Sequence, residues 1–307
     1  MHIRKIGRHA PRMLKRPLGK AWVLIERLDI EWQSRHAQIN SAPIFVLGNQ
    51  KSGTSAIAAL LAEMTGLSVS IDLIKEDLYR HQTYPRIRTG EISFSEFLAM
   101  NRLSFSRDIV KEANLTIFYD ELITHFPQSK FVFIVRDPRD NIRSQLNLMG
   151  IPGDFAQLSS KHLKNLPRGW DIIIDGRWLG LKGENYIEIL AARWNFMVDV
   201  YLNNMDQIIL VRYEDFVKDK AGEIARLVRV LGLTQVNNIV AKVDIQFQPK
   251  GNRDINKTTF FGRDNLARIE RICGDRMKQL HYSLCGDSRA AAISMAHNPL
   301  LRALPIE

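Results

Sequence analysis

Cysteine is nearly absent from this chain. There are two in 307 residues, Cys273 and Cys285, and neither lies in a cluster with metal-ligand spacing. So few cysteines argue against a disulfide scaffold and for a reducing compartment. Long apolar runs are missing too. No stretch approaches the roughly 20 residues that a membrane-spanning helix requires. The N-terminus lacks the apolar segment and cleavage site of a secretory signal, so a cytoplasmic protein is expected. No internal repeat or low-complexity tract interrupts the chain. Acid is missing locally: residues 1–25 contain no Asp or Glu but seven basic residues, Arg4, Lys5, Arg8, Arg12, Lys15, Arg16 and Lys20.

Much of the net charge of +10 therefore falls in a leader of about residues 1–40. Met13, Leu14, Leu18, Trp22, Val23 and Ile25 add apolar surface to it. Three readings are open: a solvated tail, a basic segment resting peripherally on an anionic membrane, or an electrostatic nucleic-acid contact. No nucleic acid is expected as the partner of the whole chain.

The remainder, residues 41–307, reads as a single α/β domain: 45% of the chain is hydrophobic, enough for a sizeable core. Apolar runs at 43–47, 67–71, 108–111, 131–135 and 208–212 read as strands, and helical patterns lie between them. The clearest helix covers 184–204, where Ile187, Leu190, Trp194, Met197 and Tyr201 recur at helical spacing; another covers 263–280, with Cys273 on its apolar side. Alternation of this kind predicts a doubly wound parallel sheet flanked by helices, with ligands at the carboxyl ends of the strands. Residues 151–183 are long for a connection and carry Trp170 and Trp178. They are expected either to help form a substrate site or to be anchored on the core.

Directly after the first strand comes Gly48-Asn49-Gln50-Lys51-Ser52-Gly53-Thr54-Ser55, and then a helix. A strand, glycine loop and helix aim backbone N–H groups at one spot, backed by the positive end of the helix. The loop of a nucleotide triphosphatase reads G-x-x-x-x-G-K-[ST]. Here the glycine spacing is kept, but Thr54 stands where that lysine belongs and the lysine, Lys51, lies inside the loop. No strand ends in a metal-binding Asp; the strand at 131–135 runs into Arg136, a phosphate-binding residue type, and no metal is expected. Asp137 and Pro138 then suit the cap and first turn of a helix, and Ser144 follows about two turns later. Arg136 and Ser144 can converge on one phosphate by charge and hydrogen bond.

The displaced Lys51 together with Arg136 and Ser144 resembles the sulfotransferases that use 3′-phosphoadenosine 5′-phosphosulfate (PAPS), the bacterial and carbohydrate-type members above all. The resemblance implies a P-loop-type α/β fold and transfer of a sulfuryl group to an acceptor hydroxyl or amine, without metal. It implies that Lys51 contacts the bridging and sulfonate oxygens and that Ser52, Gly53, Thr54 and Ser55 hold the 5′-phosphate. Arg136 and Ser144 would bind the 3′-phosphate. Arg212-Tyr213-Glu214-Asp215 is similar to a late segment of the family whose Tyr lies near the adenine, so Tyr213 is a further donor contact. Pro249-Lys250-Gly251-Asn252-Arg253 is loosely similar to a loop that closes on the 3′-phosphate, which adds Lys250 and Arg253; Arg263, opening the last long helix, is a further anion contact. A solvated basic turn is the competing reading of that segment.

A general base is less clearly marked. The family places a His after a middle strand, in a K-T-H pattern, or a Glu after the second strand. Here Lys111-Glu112-Ala113 lacks the His, and Asp72 lies close to the place of the Glu. The order of preference is Asp72, then Glu112, then Glu76 or His81, with a helix cap as the competing role for Asp72. Lys111 would be a second sulfonate contact or a surface charge. A glycan, glycolipid or small alcohol is the implied acceptor. A magnesium-dependent kinase or NTPase, or a non-catalytic nucleotide-binding protein docked on a membrane, are the alternatives.

Overall fold

The structure, a computed structural model, describes residues 32–34, 36–73, 83–167, 169–244 and 256–284. Five strands, β1 (Ile44–Gly48), β2 (Val69–Ile71), β3 (Ile109–Lys111), β4 (Lys130–Val135) and β5 (Ile208–Arg212), form one sheet in the order β2-β3-β1-β4-β5. All its pairings are parallel. β2 and β3 are shorter than their apolar runs suggest. At the strand starts the Asp108 carboxylate accepts from both the N–H and the hydroxyl of Ser68, at 2.8 and 2.7 Å, beside the backbone bond from the Ile109 N–H to the Ser68 carbonyl.

Both faces of the sheet are covered. Along β1 and β4, Phe45, Leu47, Phe131, Phe133 and Val135 point into one core, while Ile44, Val46, Val132 and Ile134 point into the other. This period-two division explains why the strands read as unbroken apolar runs: each residue is buried, on one side or the other. Among the described residues five helices exceed ten residues: α1 (Thr54–Thr65), α2 (Pro138–Met149), α3 (Tyr186–Leu202), α4 (Lys220–Val230) and α5 (Lys257–Gln279). Residues of α1 and α4 fill the smaller core, and residues of α2, α3 and α5 the larger one.

The predicted face of α3 is buried as its spacing requires, with Asn185 capping the Glu188 N–H at 3.0 Å. α5 starts earlier than its pattern, at Lys257 behind the cap Asn256, and is interrupted at Gly262, whose φ of 69° is not helical. Cys273 is a free, fully buried thiol on its core side. Residues 151–183 hold short helical turns. Trp170 and Trp178 pack partly buried on the larger core, and the Trp178 indole donates to the Ile172 carbonyl at 2.7 Å. No described helix is long and apolar enough to cross a membrane.

The parallel sheet places Gly48, Ile71, Lys111, Val135 and Arg212 at one edge. The strand order reverses at β1, with β3 on one side and β4 on the other, which opens a ligand crevice at their carboxyl ends.

Candidate active site

The loop after β1 leaves the strand through Gly48, whose φ of 137° brings its backbone so close to β4 that a Cβ would lie 2.5 Å from the Ile134 carbonyl oxygen. Lys51 takes a left-handed φ of 68°, a conformation that costs a non-glycine residue about 1 kcal/mol or more. Gly53 caps α1 with a φ of 93° and has no side chain to bond the first turn. The Ala56 N–H donates to the Gly53 carbonyl at 3.1 Å, so the turn offers the N–H groups of Thr54 and Ser55 to the loop's mouth. Ser52 differs from expectation: its N–H donates to the Asn49 carbonyl at 3.2 Å and its hydroxyl accepts from Asn141 at 3.0 Å, so both face inward. Ser52 and Thr54 are buried, whereas Lys51, Gly53 and Ser55 are half-buried.

The second motif is held against this loop. Asp137 caps α2 through the Arg139 N–H and Pro138 opens the helix, as the sequence suggests. The Arg136 guanidinium donates from Nη1 to the Lys51 carbonyl at 2.9 Å and lies over the Tyr213 ring, 4.6 Å from its centroid. Tyr213 in turn covers Gly53, where a Cβ would meet its ring at 2.4 Å. The three sequence motifs therefore meet in one stack of Gly53, Tyr213 and Arg136. Ser144 stands half-buried on α2, two turns beyond Arg136. Glu214 does not cap the helix after β5; its carboxylate accepts from the Asp137 N–H at 2.9 Å and the Tyr282 hydroxyl at 2.8 Å, tying β5 to the start of α2.

Across the loop, Lys111 is buried and its ammonium reaches the Asp72 carboxylate at 2.5 Å. Asp72, like Lys51, is left-handed, with a φ of 59°. Burial and the neighbouring charges of Arg136 and Lys111 push the Lys51 ammonium below its usual pKa. Glu112 is buried and accepts from the Asn114 N–H at 3.0 Å and, at 3.5 Å, from that of Leu73. Burial and the adjacent Asp72 raise its pKa, against the opposing pull of Lys111 and those N–H groups. Lys51, Asp72, Lys111, Glu112, Arg136 and Tyr213 are thus brought together. Arg263 is exposed on α5, just past the Gly262 break. Lys250, Arg253, Glu76, His81 and the basic leader to residue 31 lie outside the described residues.

Several side chains that hold the site escaped the motifs. Asn141, fully buried on α2, donates to the Gln50 carbonyl at 2.8 Å and accepts from Asn49 at 3.0 Å. Gln145, one turn on, donates to Asn141 at 2.6 Å and to the Gln50 carbonyl at 3.3 Å. Their i, i+4 spacing on the helix that follows Arg136 is the sequence signal for them. Trp194 donates to the Arg136 carbonyl at 2.9 Å. Gln50 and Arg193 both donate to the Asn114 side chain. Among the described residues no group of three or more His, Cys, Asp or Glu could hold a metal ion.

The family model of the sulfotransferase domain matches residues 41–271, three quarters of the chain. The chain belongs to the sulfotransferase family. Its fold agrees with that of a solved member at low identity, and a second, weaker likeness is found beside it. Sulfotransferase STF9 from Mycobacterium avium is 11% identical with a TM-score of 0.50, over 87% of this chain and 83% of that one. Mouse sulfotransferase SULT7A1, solved in complex with PAP, is 14% identical with a TM-score of 0.46, over 80% of this chain and 88% of its own. No curated protein matches the chain. This sulfotransferase thus keeps the α/β fold expected of it, with its three motifs at one sheet edge.

Proposed function

We propose that this sulfotransferase uses PAPS as its donor and sulfates a hydroxyl or amine of a glycan or glycolipid. The observation that carries the donor assignment is the bond from Arg136 to the Lys51 carbonyl. It couples a loop that presents a lysine to a strand end that presents an arginine, two sites for two phosphates on one ligand. Lys51, Gly53, Thr54 and Ser55 would hold the 5′-phosphosulfate, Arg136 and Ser144 the 3′-phosphate, and Tyr213 the adenine side. Lys250 and Arg253 are proposed as further 3′-phosphate contacts.

Asp72 is the proposed general base. It lies at the carboxyl end of β2, and a quarter of its side chain is exposed, whereas Glu112 is buried beneath it. Asp72 takes the proton of the acceptor as the acceptor oxygen or nitrogen bonds to sulfur. The bond from sulfur to the bridging phosphate oxygen breaks, and adenosine 3′,5′-bisphosphate leaves. Lys51 and Lys111 offset the negative charge that collects on the bridging and sulfonate oxygens, and the preset loop does so without reorganising. Residues 151–183, anchored through Trp178, are proposed to line the acceptor side, where aromatic faces suit sugar rings or apolar chains. A cytoplasmic enzyme with its leader resting on an anionic membrane would meet a glycolipid acceptor there.

The test is incubation with PAPS labelled on sulfur and a panel of glycans, glycolipids and small alcohols, with and without EDTA. Labelled product that survives EDTA is expected. Turnover of ATP that EDTA abolishes, with no use of PAPS, would replace this reading with a magnesium-dependent kinase or NTPase.

A further inference from the structure

Arg193, on α3, carries a charge that its surroundings only partly match. The residue is fully buried. Its Nη2 donates to the Asn114 side-chain oxygen at 2.9 Å and, more weakly, to that of Gln50 at 3.4 Å. Among the described residues its Nε and Nη1 have no hydrogen-bond partner. The Trp178 ring lies 5.9 Å away. Glu112 supports the charge through space, with no direct ion pair between the two among the described residues, and burial still pushes the guanidinium down to about 9. A buried guanidinium with two idle donors is expensive, and an unbranched apolar side chain of similar length would fill the same space without that cost. Departures of this kind from local consistency concentrate where function requires them.

The two side chains that Arg193 does engage belong to the loop's support. Gln50 donates to Asn114 at 2.6 Å, and its carbonyl is the acceptor of Asn141 and Gln145. The next residue is Lys51. We propose that Arg193 is a positioning residue of the donor site: a buried cation behind Gln50 whose counter-charge is completed by the phosphosulfate held in the loop. The inference rests on the PAPS reading of that loop. The donor-free protein carries the cost of the unmatched charge, and donor binding removes it, so Arg193 exchanges stability for affinity.

The full chain is tested as Arg193→Met, which keeps volume and removes charge, and as Arg193→Lys, which keeps charge and loses the fork. Adenosine 3′,5′-bisphosphate is titrated by calorimetry, and thermal unfolding is followed with and without it. Arg193→Met is expected to unfold, without ligand, at the same or a higher temperature than wild type. It is expected to bind the bisphosphate about tenfold more weakly, the loss that one charge roughly 12 Å from the ligand would cause at an effective dielectric of about 20. Arg193→Lys should bind within about threefold of wild type, because the long-range effect depends on charge. A Met variant that fails to fold, or that melts lower while binding within about twofold of wild type, overturns the proposal in favour of a packing role. A Lys variant as weak as the Met variant overturns it too. Wild type that does not bind the bisphosphate removes the donor reading itself, and the inference with it. Wild-type binding with unchanged variants removes the inference alone.

Discussion

Arg136 and Lys51 are joined by a hydrogen bond from the guanidinium of one to the backbone carbonyl of the other, 2.9 Å long and spanning 85 positions of sequence. The residue assigned to one phosphate thereby fixes the backbone of the residue assigned to the other. That bond also helps to hold Lys51 in its left-handed conformation. Arg136→Ala is therefore expected to do more than remove a phosphate contact. Calorimetry should show the affinity for adenosine 3′,5′-bisphosphate falling about 10- to 100-fold, and for adenosine 5′-monophosphate by a smaller factor. Equal affinity for the bisphosphate in variant and wild type would take Arg136 out of the 3′-phosphate site.

Lys51→Ala should behave differently. On the proposed mechanism its ammonium meets charge that grows as the bridging bond breaks, so its removal is expected to lower kcat by about 10²–10³-fold. Bisphosphate affinity should change by only a few fold, because most of the cradle is backbone. The burial and neighbouring cations that depress its pKa leave it a poorly solvated charge, well suited to an anionic partner. Parallel losses in kcat and affinity would assign it uniform binding instead.

Gly53 and Tyr213 form a contact that can be tested by a double-mutant cycle. Gly53→Ala drives a methyl group into the Tyr213 ring at a φ of 93°. Overpacking and a left-handed alanine together should cost about 2–4 kcal/mol of stability. Adding Tyr213→Ala relieves the clash but not the backbone strain, so the double variant should regain part of the loss and keep weak bisphosphate binding. Strict additivity of the two changes would deny the contact.

Asp72→Asn keeps the size of the side chain and removes its basicity. Loss of the proposed general base is expected to lower kcat by about 10²–10⁴-fold with little change in bisphosphate affinity. Substitution by Asn also weakens the ion pair with Lys111, so thermal unfolding of the same variant should be followed. A variant that is less stable yet fully active would return Asp72 to a structural role, with Lys111 as its partner.

The sheet and the glycine loop after β1 were legible in sequence because their signals are local. An apolar run, a glycine pair and a misplaced lysine occupy a few consecutive residues, and Arg136 follows its strand directly. The polar scaffold left in sequence only the i, i+4 spacing of Asn141 and Gln145, because its bonds are tertiary contacts. Asn141 reaches Gln50 across 91 positions and Arg193 reaches it across 143. On α3, Arg193 reads as an ordinary charge beside Ala192 until the fold buries it. Glu214, an acidic residue in a first helical turn, is likewise engaged by a tertiary partner, the Asp137 N–H from the neighbouring strand end.

Glu112 gives the site a pH signature of its own. Burial and Asp72 raise its pKa in the folded protein, while in the unfolded chain it titrates near the ordinary carboxylate value. Between those two values the native state binds the proton more tightly than the unfolded state does. Its contribution therefore favours the fold at low pH and is lost as pH rises through the folded-state pKa. Glu112→Gln removes this titration and keeps an oxygen for the Asn114 N–H. Thermal unfolding of variant and wild type across about pH 4 to 8 should then show a difference that moves in the variant's favour as pH rises. The slope matters more than the offset, since the amide must also face the Leu73 N–H that the carboxylate accepts from. A pH-independent difference would mean that Lys111 and Arg193 together hold Glu112 ionised throughout, and that the buried carboxylate acts as a fixed counter-ion.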